Sequence, residues 1–155
     1  MNATAALQLE LTSDPHELPR LRQRVGRWVA AQGWTEPQVG ELVLAVDEAV
    51  TNIIRHGYDN QPRQRIMVCA EPIADPRAGE GLEIRVRDFG RQVDPAQIRG
   101  RDLDDVRPGG LGVHIMRAMT NTVEYHQAEG GGMLVIMRKF KSHTAGVGAR
   151  VTERR

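Results

Sequence analysis

The most regular pattern of apolar and polar positions in the chain runs from residue 39 to residue 54. Apolar residues recur there at intervals of three and four, which is the repeat of one face of an α-helix. These residues are Val39, Leu42, Val43, Val46, Val50, Ile53 and Ile54. A capping box, Thr35-Glu-Pro-Gln38, predicts where this helix begins, and we expect it to end near Gly57.

Shorter patterns predict the other elements. Alternating apolar and polar residues indicate strands within residues 7–11, 64–71, 82–86, 123–125 and 133–140. One helix begins at Asp14-Pro-His-Glu17 and ends at Gly33, a third follows the glycines of residues 109–112, and residues 72–81 are expected to form a loop. The element order β-α-α-β-β-loop-α-β-β favours an α/β (α+β) two-layer sandwich. Its mixed, mostly antiparallel sheet would be covered on one face by three helices.

Composition and charge exclude several classes of protein. The chain has 155 residues, of which 40% are hydrophobic, and suits one domain, expected at 1–141 with a flexible basic tail at 142–155. No apolar run approaches the roughly 18 residues that span a bilayer, and no signal peptide is recognisable, so a cytoplasmic protein without membrane association is expected. A net charge of +1 does not indicate the basic surface that is typical of nucleic-acid-binding proteins. The single Cys69 excludes an internal disulfide and a cysteine-based zinc cluster.

Polar residues on the central helix are the first candidates for chemistry. Glu48 and Asn52 lie four residues apart, on a face roughly opposite the apolar stripe. A carboxylate and an amide one turn apart can hold a hydrated divalent cation or activate a hydroxyl. On the helix alone, the solvated side of an amphipathic helix is the favoured interpretation.

Two further motifs are candidates for ligand binding. Asp88-Phe-Gly90 closes a strand, where the acid can accept a hydrogen bond from an amino group such as that of adenine; a plain strand-to-loop turn is the alternative. Gly109-Gly-Leu-Gly112 precedes a helix, where backbone N–H groups can approach phosphate oxygens; a flexible loop before a helix is the alternative. The glycines match neither a dinucleotide fingerprint nor a Walker A loop.

The order and spacing of these motifs are more specific than any one of them. The helix with Glu48 and Asn52, the strand ending in Asp88-x-Gly90 and the helix opened by Gly110-x-Gly112 together resemble the GHKL ATP-binding (Bergerat-type) fold, over roughly residues 5–140. The stretch from Glu48 to Tyr58, Glu-Ala-Val-Thr-Asn-Ile-Ile-Arg-His-Gly-Tyr, is specifically similar to bacterial anti-sigma-factor serine/threonine kinases.

The resemblance implies Mg²⁺ and ATP as cofactors and gives the motif residues roles. Asn52 would ligate Mg²⁺ bridging the ATP phosphates, and Glu48 would act as general base towards an attacking serine hydroxyl. Asp88 would bind the adenine amino group, with Gly90 beside the ring. The phosphate-binding group would comprise Gly109, Gly110, Leu111 and Gly112, with Arg107 at the terminal phosphate. Residues 91–108 would form the lid over ATP.

One residue departs from the family pattern. Met133 stands where these relatives often carry a threonine near the adenine. A thioether cannot donate the hydrogen bond of a hydroxyl. The departure therefore bears on nucleotide affinity or base preference.

The resemblance also implies partners. The family phosphorylates a serine on an anti-anti-sigma protein, sequesters a sigma factor and commonly forms homodimers, for which the arginine-rich first helix is a candidate contact surface. Two other functions stay open: a nucleotide-binding module that sequesters a partner without phosphotransfer, and a detached histidine-kinase catalytic domain. Retention of Glu48 favours a kinase over a pure binder, and the His56-Gly-Tyr58 ending favours a serine kinase over the histidine-kinase domain.

Overall fold

The computed structural model describes residues 5–98 and 111–141. Eight longer elements follow one another: β1 (Leu7–Thr12), α1 (Leu18–Ala31), α2 (Glu36–Asn52), β2 (Arg65–Asp75), β3 (Gly79–Asp88), α3 (Gly112–Met119), β4 (Thr122–Gln127) and β5 (Met133–Phe140). Short 3₁₀ turns at Pro15–Glu17 and Pro95–Gln97 precede α1 and follow β3, and a π-helical turn, Ile53–Gly57, extends α2. Arg107, Gly109, Gly110, the later part of the predicted lid and the 142–155 tail lie outside the described residues.

The five strands form one sheet in the order β1-β2-β3-β5-β4. All four pairings are antiparallel, so the prediction of a mostly antiparallel two-layer sandwich is confirmed, and no parallel pair occurs among the described strands. Side chains at alternate strand positions, such as Leu9, Val68 and Val86, meet the helices on one face of the sheet. None of the described helices has the length and apolar character needed to cross a bilayer.

The predicted loop over residues 72–81 is wrong. Strand β2 continues to Asp75 and β3 already begins at Gly79, so a turn of three residues joins them. The Asp75 carboxylate stabilises this turn, because it accepts hydrogen bonds from the backbone N–H groups of Arg77 (2.7 Å) and Ala78 (2.8 Å). Pro72 is tolerated in β2 because β1 pairs only as far as Ala70, which leaves this part of β2 at the edge of the sheet.

Helix α2 lies at the centre of the helical layer. Its predicted capping box is present: Thr35 N–H donates to Gln38 Oε1 (3.1 Å), and Gln38 N–H donates to the Thr35 hydroxyl (3.5 Å). Leu42, Val46 and Val50 are at most 1% exposed, as the apolar stripe predicted. The buried face is wider than that stripe because α1 and α3 pack on its two flanks.

Candidate functional site

A cavity of about 320 Å³ opens between α2, the end of β3 and the β4–β5 pair. This volume is in the range of small-molecule sites. Its lining residues are Ala49, Asn52, Ile53, His56, Gly57, Asp88, Arg91, Val93, Gln97, Ile98, Val113, Tyr125, Met133 and Val135. Two of the predicted site residues, Asn52 and Asp88, therefore line the same cavity. Three others lie beside its wall: Gly90 is next to Gly57, and Gly112 is next to Asn52 and Glu48.

Helices α2 and α3 meet where the predicted polar residues lie. A Cβ atom placed on Gly112 would be 2.8 Å from Glu48 Oε2 and 3.0 Å from Asn52 Nδ2. The first distance is too short for a real Cβ atom and the second is unusually tight, so glycine lets α3 begin directly against the two side chains. The structure thus brings Glu48, Asn52 and the amino end of α3 together, and Leu111, immediately before this helix, is 50% exposed.

The π-helical turn at the end of α2 shapes the next part of the wall. The Tyr58 N–H donates to the Ile53 carbonyl (2.9 Å), five residues back, and so widens the last turn. The Gly57 carbonyl is thereby brought against Gly90, where an added Cβ would lie only 2.7 Å from that oxygen. Gly90 is consequently needed for close packing between this turn and the end of β3.

Asp88 is almost fully buried, with 2% of its surface exposed. Its Oδ1 atom accepts hydrogen bonds from the N–H groups of Gly90 (2.9 Å) and Met133 (3.2 Å). Oδ2 accepts none of the hydrogen bonds described. Burial raises the pKa of this carboxyl, and the two N–H donors partly offset the effect.

The carboxyl of Glu48 also has a raised pKa. Partial burial is the main cause, the neighbouring charge of Asp47 adds to it, and the guanidinium of Arg55 acts in the opposite direction. A carboxylate with a raised pKa is a stronger proton acceptor than an exposed glutamate. Arg55 is seven residues after Glu48, and its position on the same helix face was not recognised in the sequence.

Tyr58 was recognised in the sequence only as part of the family-like stretch, and its structural role was not predicted. Its hydroxyl donates to the Arg65 carbonyl (2.6 Å) and accepts from the Phe89 N–H (2.7 Å), while its ring is 7% exposed. It therefore fixes the backbone between Asp88 and Gly90. Burial raises the pKa of this phenol, so it remains a hydrogen-bond donor at neutral pH.

The chain after β3 covers one side of the cavity. Arg91 Nη2 donates to the His56 carbonyl (3.0 Å), and the Val93 N–H donates to the thioether of Met133 (3.5 Å). Met133 itself is 5% exposed and forms part of the cavity wall. Its side chain supplies an apolar surface and a sulfur acceptor at this wall, whereas its backbone N–H donates to Asp88 Oδ1 and so helps to orient that carboxylate.

The residues present fit a nucleotide with its metal. Gly112 lets the amino end of α3 lie directly beside Asn52, which provides a neutral oxygen donor at the cavity wall. The described residues contain no group of three or more His, Cys, Asp or Glu side chains able to hold a metal. Mg²⁺ suits such a site, since it takes few protein ligands and completes its shell with phosphate oxygens and water.

Comparison with known proteins identifies the family of the chain. The family model described as a histidine kinase-like ATPase domain matches residues 11–139. The serine-protein kinase RsbW of Listeria innocua is 25% identical over 143 residues, with 86% of each chain covered. The anti-sigma F factor of Clostridium beijerinckii is 27% identical over 137 residues, covering 86% of this chain and 92% of its own.

A solved structure extends the comparison to the fold. The structure of the RsbU and RsbW domains of Rv1364c from Mycobacterium tuberculosis superposes with a TM-score of 0.61 at 18% identity, covering 88% of this chain and 32% of that longer one. This likeness concerns the fold alone. Because the family match includes the central helix, the end of β3 and the start of α3, the resemblance to the GHKL fold is confirmed, and the chain belongs to the histidine kinase-like ATPase domain family.

Proposed function

We propose that the chain is an anti-sigma-factor serine kinase that binds Mg-ATP, phosphorylates a serine of an anti-anti-sigma protein and sequesters a sigma factor. The observation that carries this proposal is that Asn52 and Asp88 line one cavity, while Gly112 opens α3 directly against Asn52 and Glu48. Relatives named serine-protein kinase and anti-sigma F factor support it.

Base recognition depends on Asp88 in this proposal. Oδ1 is held by two backbone N–H groups, which leaves Oδ2 to accept a hydrogen bond from the adenine amino group. Gly90 lies beside the ring in this proposal, and its lack of a side chain lets the Gly57 carbonyl pack against it. Val135 and Met133 supply apolar surface for the ring.

Phosphate binding depends on the meeting point of α2 and α3. The N–H groups at Leu111 and Gly112 donate to phosphate oxygens, favoured by the positive end of the helix dipole. The Asn52 side-chain oxygen ligates the metal, which supplies charge neutralisation at the phosphates. Gly109, Gly110 and Arg107, outside the described residues, complete the phosphate-binding group in this proposal.

Glu48 is the general base. Its carboxylate would accept the proton of the serine hydroxyl as the serine oxygen bonds to the terminal phosphorus and the bond from that phosphorus to ADP breaks, releasing ADP. Its raised pKa increases its proton affinity. Protein catalysis of phosphoryl transfer consists mainly of positioning and charge neutralisation, so one base and one amide ligand are sufficient on α2.

A homodimer in the cytoplasm, with a single ATP-binding domain over residues 1–141, completes the proposal. The first helix carries Arg24 and Arg27 on its exposed side, whereas Arg22 pairs with Asp47 (2.9 Å). Light scattering during gel filtration should give twice the mass of the 17.3 kDa chain. A monomeric mass would remove the dimer but leave the kinase proposal in place.

Phosphotransfer to a purified anti-anti-sigma protein tests the activity. With labelled ATP and Mg²⁺, we expect acid-stable label on one serine of the acceptor, absent from an acceptor in which that serine is alanine. Binding of ATP without transfer would instead favour the sequestering module. Acid-labile label on a histidine-containing acceptor would favour the detached histidine-kinase domain.

A further inference from the structure

Arg87 ties together two segments that meet at the base-binding side of the cavity. It precedes Asp88 in β3, and its side chain lies on the opposite face of the sheet. Its Nη2 atom donates to the carbonyls of Glu129 and Gly131 (2.9 Å each), and its Nε atom donates to the Asp88 carbonyl (3.3 Å). The guanidinium also stacks on the Phe89 ring, 4.6 Å from its centroid.

The segment bound by Arg87 is residues 128–132, the glycine turn between β4 and β5. Gly130, Gly131 and Gly132 all have positive φ angles (86°, 107° and 76°). Three successive glycines carry a high conformational entropy in the absence of restraints. A Cβ atom on Gly130 or Gly131 would have no neighbour within 4 Å, so packing does not restrain this part of the turn.

The position of the glycine turn determines the orientation of the Asp88 carboxylate. An added Cβ on Gly132 would overlap the Asp88 backbone, at 2.0 Å from its carbonyl oxygen, so the two segments are in direct contact. The next residue, Met133, donates its N–H to Asp88 Oδ1 (3.2 Å). If the turn moved away, this donor would be lost and the carboxylate would be free to rotate.

We propose that Arg87 is a positioning residue for base recognition. It holds the glycine turn so that the Met133 N–H fixes Asp88 Oδ1 and leaves Oδ2 directed to the 6-amino group of a purine. Guanine carries a carbonyl oxygen at that position, which a carboxylate repels. This inference rests on the proposed nucleotide binding, and Arg87 acts through Asp88 without touching the nucleotide.

Arg65 provides a matched control. It lies on the same face of the sheet and also stacks on Phe89, at 5.0 Å, but its Nε pairs with Glu10 (2.8 Å) and none of its described contacts reaches the glycine turn. Arg87→Gln and Arg65→Gln therefore remove the same charge beside the same ring. Only the first removes the hydrogen bonds to the turn.

Two measurements on these variants test the proposal. In Arg87→Gln, we expect the Kd for ATP to rise about tenfold, the size expected for lost charge-assisted hydrogen bonds, while the Kd for GTP stays unchanged. Hydrogen exchange without nucleotide should be faster at the Met133 amide than in the wild type. Arg65→Gln should resemble the wild type in both, and Arg87→Lys, which keeps a donor to the turn, should be intermediate.

Other results would overturn the inference. One such result is that Arg87→Gln raises the Kd for ATP and the Kd for GTP by the same factor. Another is that Arg87→Gln and Arg65→Gln have equal effects, and a third is that the Met133 amide of Arg87→Gln exchanges at the wild-type rate. If the wild-type protein binds no nucleotide, the proposed function fails together with the role in base recognition, whereas the exchange measurement still decides whether Arg87 holds the turn.

Discussion

At Gly112, the absence of a side chain bears directly on the proposed ligand site. In Gly112→Ala, the new Cβ would displace the ends of Glu48 and Asn52, which are flexible enough to move without unfolding the protein. We therefore expect a folded variant with about tenfold or more weaker Mg-ATP binding, because misplaced groups lose their geometry towards the ligand. Calorimetric titration measures this directly.

Gly40 in α2 is the matched control for that substitution. A Cβ atom there has no neighbour within 4 Å. Gly40→Ala should raise the free energy of unfolding by about 0.5–1 kcal/mol through helix propensity, without changing the Kd for Mg-ATP. Equal nucleotide affinity in both alanine variants would contradict the placement of Gly112 beside the ligand.

Asp88 gives a prediction about pH. Because burial raises its pKa above the usual 3.8, the folded protein binds this proton more tightly than the unfolded chain, and stability is lost as the pH rises through the folded pKa. Asp88→Asn removes that cost. At neutral pH we expect this variant to unfold at the same or a higher temperature than the wild type, with the difference shrinking as the pH falls towards 3.8.

The same substitution should abolish base recognition. Asparagine places an N–H donor where Oδ2 is the proposed acceptor for the adenine amino group, so ATP should bind about tenfold or more weakly. Thermal unfolding across pH and titration with ATP give the two readouts. A variant that is less stable than the wild type at neutral pH, yet binds ATP normally, would refute both roles assigned to Asp88.

Residue types and spacing made part of this site predictable. The helical repeat predicted that Glu48 and Asn52 share one face of a helix, and the alternation before residue 88 predicted that Asp88 and Gly90 lie at the end of a strand. The hydrogen bonds of Tyr58, Arg87 and the Met133 backbone join segments that are distant in the chain or use main-chain atoms. Such contacts leave no local pattern, and they appear only once the sheet is assembled.

At the scale of elements, local sequence patterns predicted whether a segment is a helix or a strand better than they predicted where it begins and ends. Strand β5 has its predicted bounds, Met133–Phe140, and most of it is the apolar run Met133–Met137. The extension of β2 past Pro72 depends on the free sheet edge there. The π-helical turn, Ile53–Gly57, depends on a one-residue shift of hydrogen bonding to which the apolar repeat is insensitive.

The capping box of α2 gives a prediction for this element. Thr35→Ala should lower the free energy of unfolding by about 1 kcal/mol, since the side-chain acceptor at the helix start is lost. The cap lies at the opposite end of α2 from Asn52, so the Kd for Mg-ATP should not change. Chemical denaturation measures the difference, and Thr35→Ser, which retains a hydroxyl, should lose much less stability.

At the scale of the whole molecule, the cavity exists because distant elements converge on it. The order β1-β2-β3-β5-β4 puts β3 beside β5, so the residues at Asp88 and Met133 meet although 45 positions separate them. The antiparallel sheet with three helices was predictable from the element order, since each element buries one face. The register that aligns Arg87 with Leu134 was not, because pairing is decided across the sheet.

Binding of Mg-ATP should stabilise the whole fold. A ligand that binds only the folded state, at about 100 times its Kd, adds about 2.7 kcal/mol to the free energy of unfolding. Chelation of Mg²⁺ should remove most of this gain in the wild type. In Asn52→Ala, unfolding in the presence of ATP should be the same with and without Mg²⁺, and a full Mg²⁺ effect in this variant would exclude Asn52 as the ligand.

The central claim is that this cavity transfers phosphate to serine with Glu48 as base, and the transfer rate of Glu48→Gln tests it most directly. The variant should bind Mg-ATP with an unchanged Kd but transfer phosphate about a hundredfold or more slowly. The wild-type rate should fall on the acidic side with a midpoint above 4.5, the usual pKa of glutamic acid, because burial raises the pKa of Glu48. A Glu48→Gln variant that phosphorylates the serine at the wild-type rate would contradict the account.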